Sequence, residues 1–415
     1  MSAYDNEERA LADALRSQAT EAGLQPASFE AVRGRAGAIR RRRAIGAGVG
    51  LALAAAVLAP AAWMVVGPDS AEPLVADNPS IEPSPTPDPT ESAEPGKAHF
   101  FTSQVPQGDA PRVAYIQGRT LHRPDGTSTD LLKGSYLDLA TLGKVTFAIR
   151  AGDDGTNQLY IFDEGGNASE PYEGVNSVVK LADGSAVGWI DGDGEVWTYG
   201  ATGPFSLGQA KPDSTAVAIV GLGPCDGSEE GSACGLFYNQ PGKNPVMNVS
   251  EAGPIPIDGG WIRLADATDS SLLVGQTSYT DDSSCHQLLD VNRLLVFETC
   301  ERVPFQFSPG ETYLSANPTS YLDGFASPGL TIMDLEGEDV AWWTNDGQSD
   351  GQPDGQADSL YAHAWEDEEH VLAVSAGPTG WHVLRLGVDG SIEKVLGPVV
   401  TDDPYADAPY VLEGR

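Results

Sequence analysis

The chain has 415 residues, room for two or three ordinary domains or for one large repeat domain with attachments. It carries 24 Lys and Arg against 60 Asp and Glu, a formal net charge of -36. A surface this acidic repels phosphate backbones, which sets nucleic acid aside as a partner.

The charge is unevenly spread. Residues 1–43 hold 8 Lys and Arg and 6 Asp and Glu, whereas residues 99–415 hold 15 against 47. The apolar spacing over 6–22 predicts a short helix with Leu11 and Leu15 on one side, and Ser28 is placed to cap a second helix starting at Phe29. The tail has no His or Cys, so it cannot be a zinc-type docking module. It reads as a solvated cytoplasmic tail; the sharper alternative is a docking helix for a regulator such as a sigma factor.

Arg40, Arg41, Arg42 and Arg43 lead into an uncharged run from Ala44 to Gly67, 24 residues long. At ~1.5 Å rise per residue this run spans about 36 Å, against a hydrocarbon core of about 30 Å. Ala59-Pro60-Ala61 resembles a leader cleavage site. However, the segment before the apolar run would be far too long for a leader, and the run continues through Trp63, Met64, Val65 and Val66. The span therefore reads as a transmembrane helix, with Trp63 as an interfacial anchor and the arginine cluster holding the N-terminus in the cytoplasm. Residues 68–98 contain eight prolines and seven acids. Such a segment buries no core and predicts a stiff spacer of at most roughly 90–100 Å at ~3.1 Å per residue.

From residue 99 onward a strand-like run ending in a turn recurs: LHRPDG at 121–126, LYIFDEG at 159–165, VWTYGATG at 196–203, LFYNQPG at 236–242, LLDVNR at 288–293, LTIMDLEG at 330–337 and LRLGVDG at 384–390. The first three intervals between turn positions are 39, 38 and 39 residues, and the later ones are longer. A unit of about 40 residues holding four short strands is the period of a β-propeller blade, and seven markers predict seven blades. A pair of β-sandwiches with regular hairpins is the competing fold. The segment 112–132 offers only three strands, so 408–414 is expected to supply the missing innermost strand of the first blade and close the ring.

FQFSPGETYLSA at 305–316 resembles the "SPDG" strand–turn–strand of TolB-like propeller repeats, and LADGSAVGWI at 181–190 and WEDEEHVLAV at 365–374 resemble the same element. The period is also similar to that of WD-repeat propellers, but no WD dipeptide or Gly-His pair is present. The low lysine usage with abundant Ala, Gly and Asp resembles proteins of actinobacterial type. These resemblances imply the fold and leave the function open.

With strands a to d running from the centre outward and each marker turn placed between c and d, the b–c and d–a connections share one face. Three insertions (277–285, 317–329 and 345–359) and the loop between Cys225 and Cys234 are all expected there, forming a decorated face suited to binding. Four cysteines allow three pairings. The local one, Cys225–Cys234 and Cys285–Cys300, fits this register, and an exported domain permits it.

Chemistry is sparse. Asp346, Asp350, Asp354 and Asp358 recur at intervals of four among glycines, a pattern that could hold calcium but that equally suits an acidic linker. DGDGE at 191–195 reads as a tight hairpin, with a metal loop as the alternative. His363 and His370 flank an acidic turn and could share a transition metal. No nucleophile elbow, zinc-protease helix, phosphate loop or C-x-x-C occurs. The sequence therefore predicts an all-β, seven-bladed extracytoplasmic propeller on a single-pass membrane anchor. It would act as a binding module for a protein or cell-wall ligand on its decorated face, with a cationic or calcium-bridged partner favoured. A transmembrane signalling regulator and a cell-surface hydrolase are the rival functions.

Overall fold

The structure, a computed structural model, describes residues 97–99, 104–152, 155–221, 225, 234–280, 283–319, 327–344, 359–377, 379–401 and 408–414. These belong to one compact unit formed by Pro87–Gln348 and Gln356–Arg415. The expected tail, the span with Arg40, Arg41, Arg42, Arg43 and Trp63, and most of the linker lie outside the described residues. So do the loop 320–326 and Asp346, Asp350, Asp354 and Asp358. No helix among the described residues is long and apolar enough to cross a membrane.

The described chain opens with β1 (Lys97–His99) and then enters a series of four-stranded antiparallel meanders. Blade 1 holds β2 (Tyr115–Gln117), β3 (Thr120–His122) and β4 (Ser128–Asp130). Blade 2 is β5 (Tyr136–Leu142), β6 (Val145–Ala151), β7 (Asn157–Phe162) and β8 (Tyr172–Glu173). Blade 3 is β9 (Val178–Lys180), β10 (Val187–Ile190), β11 (Glu195–Gly200) and β12 (Gly203–Gln209). Blade 4 is β13 (Thr215–Val220), β14 (Gly235–Asn239), β15 (Val246–Ser250) and β16 (Gly253–Pro256). Blade 5 is β17 (Arg263–Ala267), β18 (Leu273–Thr280), β19 (Ser283–Leu289) and β20 (Leu295–Thr299). Blade 6 is β21 (Arg302–Phe307), β22 (Tyr313–Pro318), β23 (Gly329–Asp334) and β24 (Asp339–Thr344). Blade 7 is β25 (Ser359–Trp365), β26 (His370–Gly377), β27 (Gly380–Gly387) and β28 (Ile392–Val399), and β29 (Tyr410–Leu412) ends the series.

β29 pairs antiparallel with β2, placing Leu412 opposite Tyr115 and Tyr410 opposite Gln117, so the C-terminus supplies the innermost strand of blade 1 as the sequence predicts. The innermost strands touch in the order β29, β5, β9, β13, β17, β21, β25 and back to β29. The seven sheets therefore close into a ring, and the protein is a seven-bladed β-propeller.

Each inner strand lies between two neighbouring sheets, so its apolar residues are covered on both sides and the strand reads as a continuous apolar run. All four residues of β10 are buried, as is the whole stretch Val371–Ser375 of β26. β11 instead alternates, with Val196, Thr198 and Gly200 buried. The seven apolar clusters coincide with the seven blade interfaces. Phe147 and Leu159 of blade 2 pack on Trp189 of blade 3, Val274 and Leu288 of blade 5 pack on Phe307 and Leu314 of blade 6, and Val383 of blade 7 packs with Tyr410 and Leu412.

Six of the seven marker turns join strands c and d. Gly126, Gly337 and Gly390 adopt the positive φ such turns require, at 82°, 91° and 84°. In blade 2 the turn glycine is Gly166, with φ 81°, one residue beyond the expected Gly165. The exception is blade 4. LFYNQPG at 236–242 ends strand b, and Gly242 turns between β14 and β15. Cys225 and Cys234 therefore lie between β13 and β14, in an a–b connection, at the opposite end of the strands from Thr344 and Ser359, where β24 ends and β25 begins. The expectation that all four elaborations share one face is thus corrected for the connection holding Cys225 and Cys234. All three segments that resemble the SPDG element are a–b hairpins, in blades 3, 6 and 7.

Candidate binding cleft at the channel mouth

Five innermost strands carry a β-bulge at the same place. The pairing skips Leu137 in β5, Val217 in β13, Ala265 in β17, Phe305 in β21 and Tyr361 in β25. A bulge leaves one residue without a cross-strand partner and re-aims its side chain. Val217, Ala265, Phe305 and Tyr361 all line a single cleft of about 800 Å³ at the centre of the ring, open on the b–c face.

The rest of the wall comes from the loops of that face. β18 and β19 run past the ring as a hairpin, pairing Tyr279 with Ser284, and both residues line the cleft with Gln276. Asn317 and Pro318, where β22 ends, and Ser327, just before β23, form the blade 6 side. Two of the three insertions expected to decorate this face thus border the cleft directly, and the third returns to the ring at Ser359, beside the lining residue Leu360.

The lining is mainly apolar, and its rim is unusually exposed. Ile262 and Tyr279 are 49% and 54% accessible, and Phe305 and Tyr361 are 40% each. The charged lining residues are Arg263 and Asp266. Asp266 is buried and accepts backbone N–H groups from Ala267 at 2.8 Å and Phe307 at 2.8 Å, which ties blade 5 to blade 6. Asp138 does the same between blades 2 and 3, through Leu139 at 2.8 Å and Val178 at 2.9 Å. Burial outweighs these hydrogen bonds and pushes the Asp138 carboxyl up to about 6. His363 sits 3.0 Å from the hydroxyl of Ser315 and edge-on to Phe305. Burial holds it down at about 4, so its ring is neutral at physiological pH. Arg263 is therefore the positive charge of the cleft. It is exposed and makes no ion pair among the described residues.

The other residues expected from sequence are placed as follows. Cys225–Cys234 and Cys285–Cys300 are disulfides, with Cα atoms 5.5 Å and 4.0 Å apart. The second stands on the b–c face next to the lining residue Ser284. DGDGE at 191–195 is a tight hairpin. Asp191 accepts the N–H groups of Asp193 at 3.1 Å and Glu195 at 2.9 Å, and the indole N–H of Trp197 at 2.9 Å, so its carboxylate is engaged by its own turn. His363 and His370 are not brought together: His370 pairs with Asp367 at 2.8 Å while His363 faces the cleft. Among the described residues no three His, Cys, Asp or Glu side chains gather closely enough to hold a metal. The bulged aromatics Phe305 and Tyr361 escape sequence reasoning, because each shares the parity of a buried ring in its own strand, Phe307 and Trp365.

No family model matches the chain, and no curated protein matches it. Solved structures with similar architecture include one titled U3-55K, at 11% identity and TM-score 0.43, covering 65% of this chain and 83% of that one. The β-propeller domain of Cps50 (Swd1) from Myceliophteria thermophila is similar at 11% identity and TM-score 0.43, covering 65% and 89%. A chain of a mitotic checkpoint complex is similar at 11% identity and TM-score 0.41, covering 77% and 90%. The fold assignment rests on the strand pairings of this chain.

Proposed function

We propose that this chain is a single-pass membrane protein whose extracytoplasmic propeller is a binding module, and that the b–c face cleft holds its ligand. The observation that carries this reading is the 40% exposure of both Phe305 and Tyr361 at bulges that aim them into the cleft. Exposing large rings to water opposes folding, and the ring does not need them there, since Ala265 fills the same position in blade 5. A concave, mostly apolar site with a few convergent polar groups suits a ligand with flat apolar faces, such as a cell-wall polymer segment or a protruding protein segment. The anchor reading rests on the uncharged run at 44–67 behind four arginines. Two disulfides support export, because cystines persist in oxidising compartments.

The test uses the full-length protein against isolated cell-wall sacculi and a displayed peptide library. Phe305→Ala, Tyr361→Ala and Tyr279→Ala are expected to weaken capture at least ~tenfold each, the scale of a buried aromatic anchor, with melting temperatures close to that of the parent. Capture unchanged in all three variants would remove the cleft as the site. Protease added to intact cells is expected to release the propeller and leave a short membrane-bound fragment.

A further inference from the structure

The cleft runs against the charge of the body around it. Residues 99–415 carry 15 Lys and Arg against 47 Asp and Glu, yet the charged residues of the lining are one acid and one base, Asp266 and Arg263. Both carboxylate oxygens of Asp266 are engaged within the wall, where Oδ1 accepts Ala267 N–H and Oδ2 accepts Phe307 N–H. Arg263 has no such partner: it is exposed and makes no ion pair among the described residues. Blade 6 shows how the fold neutralises an arginine at the head of an innermost strand. Arg302 opens β21 as Arg263 opens β17, and it pairs with Asp339 of its own blade at 2.5 Å while lying over the Trp342 ring.

Beyond Arg263 the lining turns apolar. Arg263 stands opposite Gln276 in the pairing of β17 with β18, and the bulge two residues along β17 falls on Ala265. At the corresponding bulges the flanking blades 4 and 6 carry Val217 and Phe305. The small side chain between them leaves room on the blade 5 side of the cleft, and all three residues line it. Gln276 and Asn317 belong to the same lining, and amide side chains both donate and accept, as a peptide group requires. A guanidinium presents paired N–H donors in a plane that matches a carboxylate.

Building on the cleft as the ligand site, we propose that it takes a peptide by its free carboxylate end, with Arg263 holding the carboxylate and an apolar side chain seated over Ala265 between Val217 and Phe305. A polymer bearing many negative charges is repelled by so acidic a body. A single carboxylate on an apolar residue instead meets one positive charge at short range and little of the screened, distant field. The end of an exported protein and the free end of a wall peptide both offer that chemistry.

The test offers the full-length protein a random heptapeptide pool lacking Asp and Glu, synthesised once as free acids and once as C-terminal amides, with captured peptides counted by mass spectrometry. The acids should be captured at least ~tenfold better than the amides, the scale of a hydrogen-bonded pair with a charged group, and they should be enriched in apolar residues at the last position. Arg263→Gln should erase the acid preference with an unchanged melting temperature, since the side chain is exposed. Arg263→Lys should keep part of it, because the charge remains and the fork does not. Phe305→Ala should lower capture of both pools and leave their ratio unchanged. Sacculi with amidated carboxylates form a second arm: capture lost relative to untreated sacculi assigns the carboxylate to wall peptides, and capture of the soluble acids alone assigns it to free protein ends. Equal capture of acids and amides by the wild type, or a preference that survives Arg263→Gln, overturns the proposal, while Phe305→Ala still reports separately on the cleft. Capture of neither pool overturns it too, and the cleft then stands or falls on the capture of untreated sacculi.

Discussion

Glu413 and Lys180 meet at 2.7 Å although 233 residues separate them in sequence. The same carboxylate accepts Thr141 N–H at 2.8 Å, the Thr141 hydroxyl at 2.5 Å and Ala114 N–H at 3.1 Å. One side chain at the end of β29 thus joins blades 1, 2 and 3 at the seam where the ring closes. Both partners are largely buried, so removing one leaves the other charge and two backbone donors poorly compensated. Glu413→Ala is expected to cost about 3–5 kcal/mol in urea unfolding with an unchanged m-value. Deleting 408–415 removes the strand itself and should leave the open ring aggregating through its bared edges.

A second buried pair fixes the approach to blade 1. Arg385 and Glu366 bond side by side, Nε to Oε2 at 2.5 Å and Nη2 to Oε1 at 2.9 Å. Glu366 also accepts Arg112 N–H at 2.6 Å, and Arg385 donates to Ala110 C=O at 3.2 Å. Glu366→Ala alone should destabilise by about 3–5 kcal/mol, whereas Glu366→Met/Arg385→Leu together should be far milder, because an apolar pair of similar volume replaces a costly buried ion pair. In either variant the Arg112 N–H loses its acceptor. Hydrogen exchange at Arg112 should then accelerate at least ~tenfold, a change that a uniform loss of stability would not confine to this segment.

The repeat, the blade count and the closing strand were legible because each rests on something local: a buried strand, a turn residue, and one strand missing at the N-terminal end. Blade 4 was misread for a physical reason. Its b–c turn at Gly242 has the same strand–turn chemistry as the c–d turns elsewhere, and the cysteine-bracketed insertion between β13 and β14 displaces it in sequence. The cleft was not legible at all. Strict alternation puts Phe305 and Phe307 on one face, yet the bulge between Pro304 and Gln306 separates them. Phe307 is fully buried against blade 5 and Phe305 opens on the channel.

That separation can be measured. Phe307→Ala should cost about 3–5 kcal/mol, as expected for a buried ring. Phe305→Ala, two residues away in the same strand, should stay within about 1 kcal/mol of the parent, since most surface changes do. Equal losses in urea unfolding would contradict the bulge.

Acid should act through the blade interiors. His286 is buried in β19, and desolvation, with Arg263 nearby, holds it down at about 4; His363 is likewise at about 4. Unfolded, each takes its proton near the ordinary value of 6.5, so as pH falls from about 6.5 toward 4 the unfolded chain binds two protons that the folded chain refuses. Asp138 runs the other way. Its folded value of about 6 lies above the ordinary carboxylate range, so the folded chain binds one proton early over much of the same window. From these three groups the unfolded state gains one proton net, and stability should fall by about 1.4 kcal/mol per pH unit near pH 5. Asp138→Asn should roughly double that slope. His286→Gln should bring it close to zero, and His286→Gln/His363→Gln should reverse its sign, so that the protein gains stability on mild acidification. Urea unfolding at pH 6.0, 5.5 and 5.0 reads all four slopes. A double-histidine variant that still loses stability with falling pH would show that other groups govern the acid response.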